Sequence, residues 1–144
     1  MVRYLGVVVA ASCLLAACTS AEAGYLARQR DVGEIPGERI ALEGAIEEKG
    51  NGCLMLALDD GTSPWIVWPP GAEPGLTDAR GSAGVIDGVA YGDGDHVEAT
   101  GALVSLSDLP DGDDPNGYFG GQGGFCDADV AGVAVLDSIA HVGG

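Results

Sequence analysis

The chain is poor in basic residues. Six Lys and Arg stand against 22 Asp and Glu, a formal net charge of −16 over 144 residues. Nucleic-acid binding rests on Lys and Arg neutralising phosphates, so that balance argues against DNA or RNA as a partner. Long apolar runs are also missing. The greasiest stretch, Tyr4 to Leu15, falls short of the roughly 20 apolar residues that a membrane-spanning helix needs. Histidine is scarce, with only His96 and His141. His141 lies three residues from the end, a poor position for a base that must be held by packing on both sides, so hydrolase chemistry is disfavoured. Two histidines and two spare cysteines also fall short of a zinc set. There is no Cys-x-x-Cys, so a thioredoxin-like redox site is unsupported.

What is present first is a leader. Arg3 supplies a positive start, residues 4–15 an apolar core, and Ala16-Ala17 a small-residue approach to Cys18. Leu15-Ala16-Ala17-Cys18 resembles the lipobox of bacterial lipoproteins. That resemblance implies lipidation of Cys18, with acyl chains such as palmitate, and cleavage just before it. It makes residues 1–17 a signal peptide. Ala21-Glu22-Ala23 leaves ordinary secretion open as an alternative. The implied location is the extracytoplasmic face of the cell membrane, with the membrane itself as one partner. Cleavage removes Arg3 and no acid, which leaves the mature chain one unit more negative than −16. Its bases are Arg28, Arg30, Arg39, Lys49 and Arg80.

Residues 18–37 read as a lipidated N-terminus and flexible tether, small, polar and broken by Gly24, Gly33 and Pro36-Gly37. Thr19 and Glu22 have the spacing of a helix cap. A single β domain then fills residues 38–144. Cys13 leaves with the leader and Cys18 takes lipid. That leaves Cys53 and Cys126, which should pair outside the cytoplasm. On a chain-entropy account the bridge contributes at most about 4 kcal/mol.

The domain shows period-two patterning. Ile40, Leu42 and Ile46 alternate with Ala41, Glu43, Ala45 and Glu47, and Gly44 suggests a bulge or sharp coil. A turn at 49–52 leads into a strand from Cys53 to Leu58, and Asp59-Asp60-Gly61 leads towards a third from Trp65 to Trp68. Residues 69–95 read as a long Gly- and Pro-rich connection with at most one helical turn near 77–80. A fourth strand fits His96 to Leu106, residues 107–127 form a second loop, and a last strand runs from about Val130 to His141 with Val133, Val135 and Ile139 on one face. The expectation is a mostly β fold, a small five-stranded barrel. A small antiparallel sandwich is the alternative. The strand order, together with Gly94-Asp95-His96-Val97-Glu98-Ala99-Thr100-Gly101, resembles the OB-type barrels. Fold likeness carries no function.

Two features stand out as candidate sites. Asp108, Asp111, Asp113, Asp114 and Asn116 crowd into one loop, where a solvated, mobile loop is the leading reading; the alternative is a weak Ca²⁺ site of hard oxygen ligands, although the EF-hand spacing is missed. Trp65 and Trp68 face opposite sides of one strand; core packing is the leading reading for both, and an exposed contact patch at one of them is the alternative. Gly120-Gly121-Gln122-Gly123-Gly124 lacks the Lys-Ser/Thr of a phosphate loop and reads as flexible. The leading functional expectation is a non-enzymatic envelope module that binds another protein or a small ligand and needs no cofactor. A Ca²⁺-responsive module built on residues 108–116 comes second, and an envelope hydrolase is a distant third.

Overall fold

The computed structural model describes residues 26–143. The leader, Cys18 and the Thr19–Glu22 cap lie outside the described residues. Eight strands and two short helices follow in the order β1 (Ile40–Glu48), β2 (Leu54–Leu58), β3 (Trp65–Val67), β4 (Glu73–Leu76), β5 (Ser82–Ile86), β6 (Val89–Gly92), β7 (His96–Val104), α1 (Tyr118–Phe125), α2 (Ala128–Ala131) and β8 (Val133–His141). Five of the strands close into a barrel in the order β1-β2-β3-β8-β7, with β3 and β8 parallel and the other neighbours antiparallel. This is consistent with a small OB-like barrel.

Gly44 explains how a single strand serves both ends of the ring. The first part of β1 pairs with β7 and the last part with β2, and both ladders include Gly44 and Ala45. A Cβ at position 44 would overlap the carbonyl of Ala57. The strand therefore coils there without a bulge, and glycine permits the close backbone approach.

The apolar runs of β2, β3 and β8 are buried on both faces. Leu54, Leu56, Ile66, Trp68, Ala134 and Leu136 point into the barrel and meet Leu42, Ile46, Val97 and Ala99. The intervening Met55, Trp65, Val67, Val133 and Val135 point outward, into a second cluster. Period two thus sends alternate residues of one run into two different cores. The barrel face is preserved along β8 only by a bulge. Gly101 of β7 opposes Leu136 while Thr100 opposes Ser138, so Asp137 is the extra residue. The shift puts Ile139 with the interior cluster and Val133 and Val135 with the outer one, so these three do not share a face. On the partner strand, Ala102 is fully buried while Leu103 is exposed.

Residues 69–95 are not a plain connection. They contain the antiparallel sheet β4-β5-β6. Its β5–β6 hairpin turns on Asp87 and Gly88, both at positive φ (50° and 78°). Two positive φ values mark the hairpin turn that Asp-Gly favours. The sheet closes one end of the barrel: Tyr91 joins the interior cluster, and Gly84 lies against the ring of Trp68, where any Cβ would collide. Residues 107–127 also hold more than loop, since α1 falls among them.

The tether ends earlier than its composition suggests. Ala27, Gln29 and Ile35 are buried, and residues 27–29 bond to Trp68, just past the end of β3, through Trp68 N–H to the Ala27 carbonyl and Gln29 N–H to the Trp68 carbonyl. Residues 26–37 are therefore an arm of the domain rather than a free linker. Three apolar or amide side chains in a polar stretch suffice to seat it.

Candidate functional site

Cys53 precedes β2, and Cys126 follows α1. They are joined, with Cα atoms 5.7 Å apart. The bridge ties the connection between β7 and β8 to the turn between β1 and β2. That connection lies across the outward side of β2, β3 and β8. Leu106, Leu109, Phe119, Cys126 and Ala128 cover Met55, Trp65, Val67, Val133 and Val135, and Ala27 and Ile35 of the arm complete the layer. In OB barrels this is the face, with these two loops, that receives oligonucleotides or oligosaccharides. Here the chain's own residues fill it.

That layer decides between the two readings of the tryptophans in favour of the core. Trp65 is 2% exposed and Trp68 1%, so neither contributes to a contact patch. They do point to opposite sides of β3, but each side carries its own core.

The acidic loop is a run of short turns. Asp108 accepts a hydrogen bond from the Ser105 backbone N–H (2.9 Å), closing a capping box on the single helical turn 106–108. Asp114 accepts from the Asn116 N–H (2.8 Å). Asp111 sits at φ 53°, and its carbonyl accepts from Asp114. Asp113 and Asn116 are exposed. Among the described residues no three of His, Cys, Asp and Glu converge in a way that could hold a metal ion. Short acceptor side chains that reach back to nearby N–H groups make turns. Here the Asp108 and Asp114 carboxylates serve local backbone geometry. Asp60 behaves likewise: both the side-chain and the backbone donors of Thr62 bond to it, which lowers its pKa below the usual carboxylate value.

The two histidines lie near one another in register but not in a catalytic arrangement. His141 stacks on Tyr91 (4.5 Å between centroids), with its Nε2 3.2 Å from the Ala90 carbonyl. The carbonyl of His96 accepts from Val142. Among the described residues no Ser, Thr or Cys side chain bonds to either ring.

A polar cluster missed at the sequence level fixes the arm. Gln29, 1% exposed, donates from Nε2 to the Leu136 carbonyl (2.8 Å) and to Asp137 Oδ1 (2.9 Å). Arg39 forks onto the same carboxylate, Nε to Oδ2 at 2.8 Å and Nη2 to Oδ1 at 3.3 Å. The bulge aims Asp137 at this pair. Burial alone would raise the Asp137 pKa. The hydrogen bonds from Arg39 and Gln29, with the guanidinium charge, outweigh it and hold the carboxyl below its usual value. A lone Asp at a strand position otherwise filled by apolar residues was the available signal.

Where the arm begins, the surface carries side chains of another kind. Leu26 borders a groove with Asn51, Gly52, Leu54, Leu76 and Arg80. Leu76 is 63% exposed, Tyr118 52% and Phe125 47%. The Arg28 N–H donates to the Tyr118 hydroxyl (3.2 Å), and Asn51 Nδ2 donates to the Phe125 carbonyl (3.4 Å). No helix among the described residues is long and apolar enough to cross a membrane. The chain matches no known family, no curated protein and no solved structure.

Proposed function

We propose that this chain is a lipid-anchored lipoprotein of the cell envelope, acting as a non-enzymatic interaction module on the extracytoplasmic face of the membrane. The observation that carries this reading is Leu15-Ala16-Ala17-Cys18 at the end of an apolar leader. The anchor would be acyl chains, palmitate among them, on Cys18. Two or more chains hold a protein stably, where one alone is marginal. The Cys53–Cys126 bridge supports the reading, since such bonds persist in oxidising compartments. The filled β2-β3-β8 face and the acidic charge both turn the fold away from oligonucleotides. An envelope protein or a small ligand is the partner class that remains.

The test is metabolic labelling with a fatty acid in a bacterial host. The wild-type protein should take up label and stay with membranes until detergent is added, whereas Cys18→Ser should do neither. Label retained by the variant would sink the reading. In the native envelope, crosslinking should then capture a protein neighbour that the Cys18→Ser form loses.

A further inference from the structure

Resting on that lipid-anchored reading, we infer that the end of the domain around Leu26 lies on the bilayer that holds Cys18. The barrel is therefore a seated module with a fixed orientation, not one swinging on a leash.

The first ground is chain length. The described fold begins at Leu26, eight residues after Cys18. Eight residues span at most about 29 Å even when fully extended. Had the arm 26–37 been free, the reach would have been more than double. Instead Ala27, Gln29 and Ile35 pin it to the barrel, so the pole at Leu26 is the part of the domain that the anchor keeps near the headgroups.

The second ground is what surrounds that pole. Leu76 shares the groove with Leu26, Tyr118 bonds to Arg28, and Phe125 bonds through its carbonyl to Asn51 of the same groove. All three are about half exposed or more. Aromatic side chains with one wet end favour the membrane interface, and aliphatic ones gain by entering it.

The third ground is charge. Of the five bases of the mature chain, Arg39 is locked onto Asp137. The other four gather here: Arg28 and Arg30 on the arm, Arg80 in the groove, and Lys49 in the turn that carries Asn51. Acids accompany them. Glu34 pairs with Arg30, Glu47 with Lys49, and Glu48 accepts from Ser82, while Asp31, Asp78, Asp111 and Asp127 are solvated nearby in the chain. The pole thus holds four bases against seven acids, a net of −3, while the remaining −14 of the mature chain lies elsewhere. It is the end that a negatively charged leaflet repels least, and its apolar side chains do the holding.

The experiment uses full-length protein, matured in the host and reconstituted in vesicles of mixed zwitterionic and anionic lipid. Cys18 is acylated and Cys53–Cys126 bridged, so an introduced cysteine is the only free thiol. An environment-sensitive fluorophore is placed at Leu76→Cys, at Tyr118→Cys and, as the reference, at Glu98→Cys on the β1–β7 wall. Nitroxide-bearing lipids should quench the labels at 76 and 118 at least threefold more than the label at 98. Vesicle-bound protein quenched equally and weakly at all three positions would overturn the seated orientation while leaving the anchor intact. Protein that fails to float with vesicles and carries no acyl chain would overturn both.

Discussion

The helix α1 has the sequence Tyr-Phe-Gly-Gly-Gln-Gly-Gly-Phe, half of it glycine. Each glycine in a helix interior is about 1 kcal/mol worse than alanine, so this helix carries a deficit of roughly 4 kcal/mol. Close packing explains two of the four positions. A Cβ on Gly120 would overlap the Asp114 carbonyl and come within 2.6 Å of the Asp111 carbonyl, and backbone there has no room to yield. A Cβ on Gly123 would press on the Leu106 side chain and stand 3.1 Å from the Trp65 ring. Gly121 is intermediate, 3.1 Å from the Pro115 carbonyl, and Gly124 meets nothing within 4 Å. Gly124→Ala should therefore stabilise, by about 0.5 kcal/mol because it lies in the last turn. Gly123→Ala gains helix propensity but must displace Leu106, for a net loss of about 1 kcal/mol, and Gly120→Ala should lose about 2–3 kcal/mol. For a domain of this size those values correspond to roughly +2 °C, −4 °C and −10 °C in Tm. Thermal melts of the oxidised protein, followed by the fluorescence of the two buried tryptophans, give the order directly. A neutral Gly120→Ala or a destabilising Gly124→Ala would refute the account of α1 as a helix thinned to fit beneath the loop.

Reducing Cys53–Cys126, or replacing both with Ala, should cost up to about 4 kcal/mol in urea unfolding; a loss under about 1 kcal/mol would show that the covering layer holds without its bridge. Asp137→Asn should destabilise by about 2 kcal/mol at pH 7. The Asp137 pKa is depressed in the folded state, so its contribution is complete above about pH 4, the ordinary carboxylate value, and fades as the pH falls through the lower folded value. The gap between variant and wild type should therefore close on acidification, and a gap unchanged at pH 2 would contradict the pairing with Arg39 and Gln29. Ca²⁺ and Mg²⁺ at equal ionic strength should raise Tm equally, by screening alone, since Asp108 and Asp114 are engaged in backbone turns and no three acids converge among the described residues. A Ca²⁺-specific rise that disappears in Asp111→Asn would restore the loop as a metal site.

The barrel was legible because its strands carry period two or dense apolar runs. Ile40 to Glu47, Cys53 to Leu58, Trp65 to Trp68 and the strands from His96 and towards His141 all appear as elements of the structure. The pairing of Cys53 with Cys126 was legible from the expected export and from the roles expected of Cys13 and Cys18. The β4-β5-β6 sheet was not, because four- and five-residue strands built on Gly, Pro and Ser show no alternation. Yet Asp87-Gly88 between Val85-Ile86 and Val89 was a hairpin signal in plain view. The burial of both tryptophans was foreshadowed by Trp-Ile-Val-Trp, an uninterrupted apolar run that exposes neither face. The bulge at Asp137 had no sequence pattern to announce it, so the face of Ile139 could not be read.

What composition hides most thoroughly is the outer layer. The arm 26–37 and the segment 105–132 look like linker and loop by local measures, both polar and broken by glycine and proline and the second strongly acidic. Neither has the propensity or the periodicity to form structure alone. They are held by a few long-range attachments at separated points of the chain. The Cys53–Cys126 bond, the Arg39 and Gln29 bonds to Asp137, and the burial of Ile35 and Phe119 are the chief ones. Each joins residues dozens of positions apart or more, beyond the reach of any local window. The same attachments put a lid over the face that OB barrels leave open and fix the point where the chain leaves the fold. Locally weak segments thus set which surfaces stay open and, under the proposed lipid anchoring, which end faces the membrane.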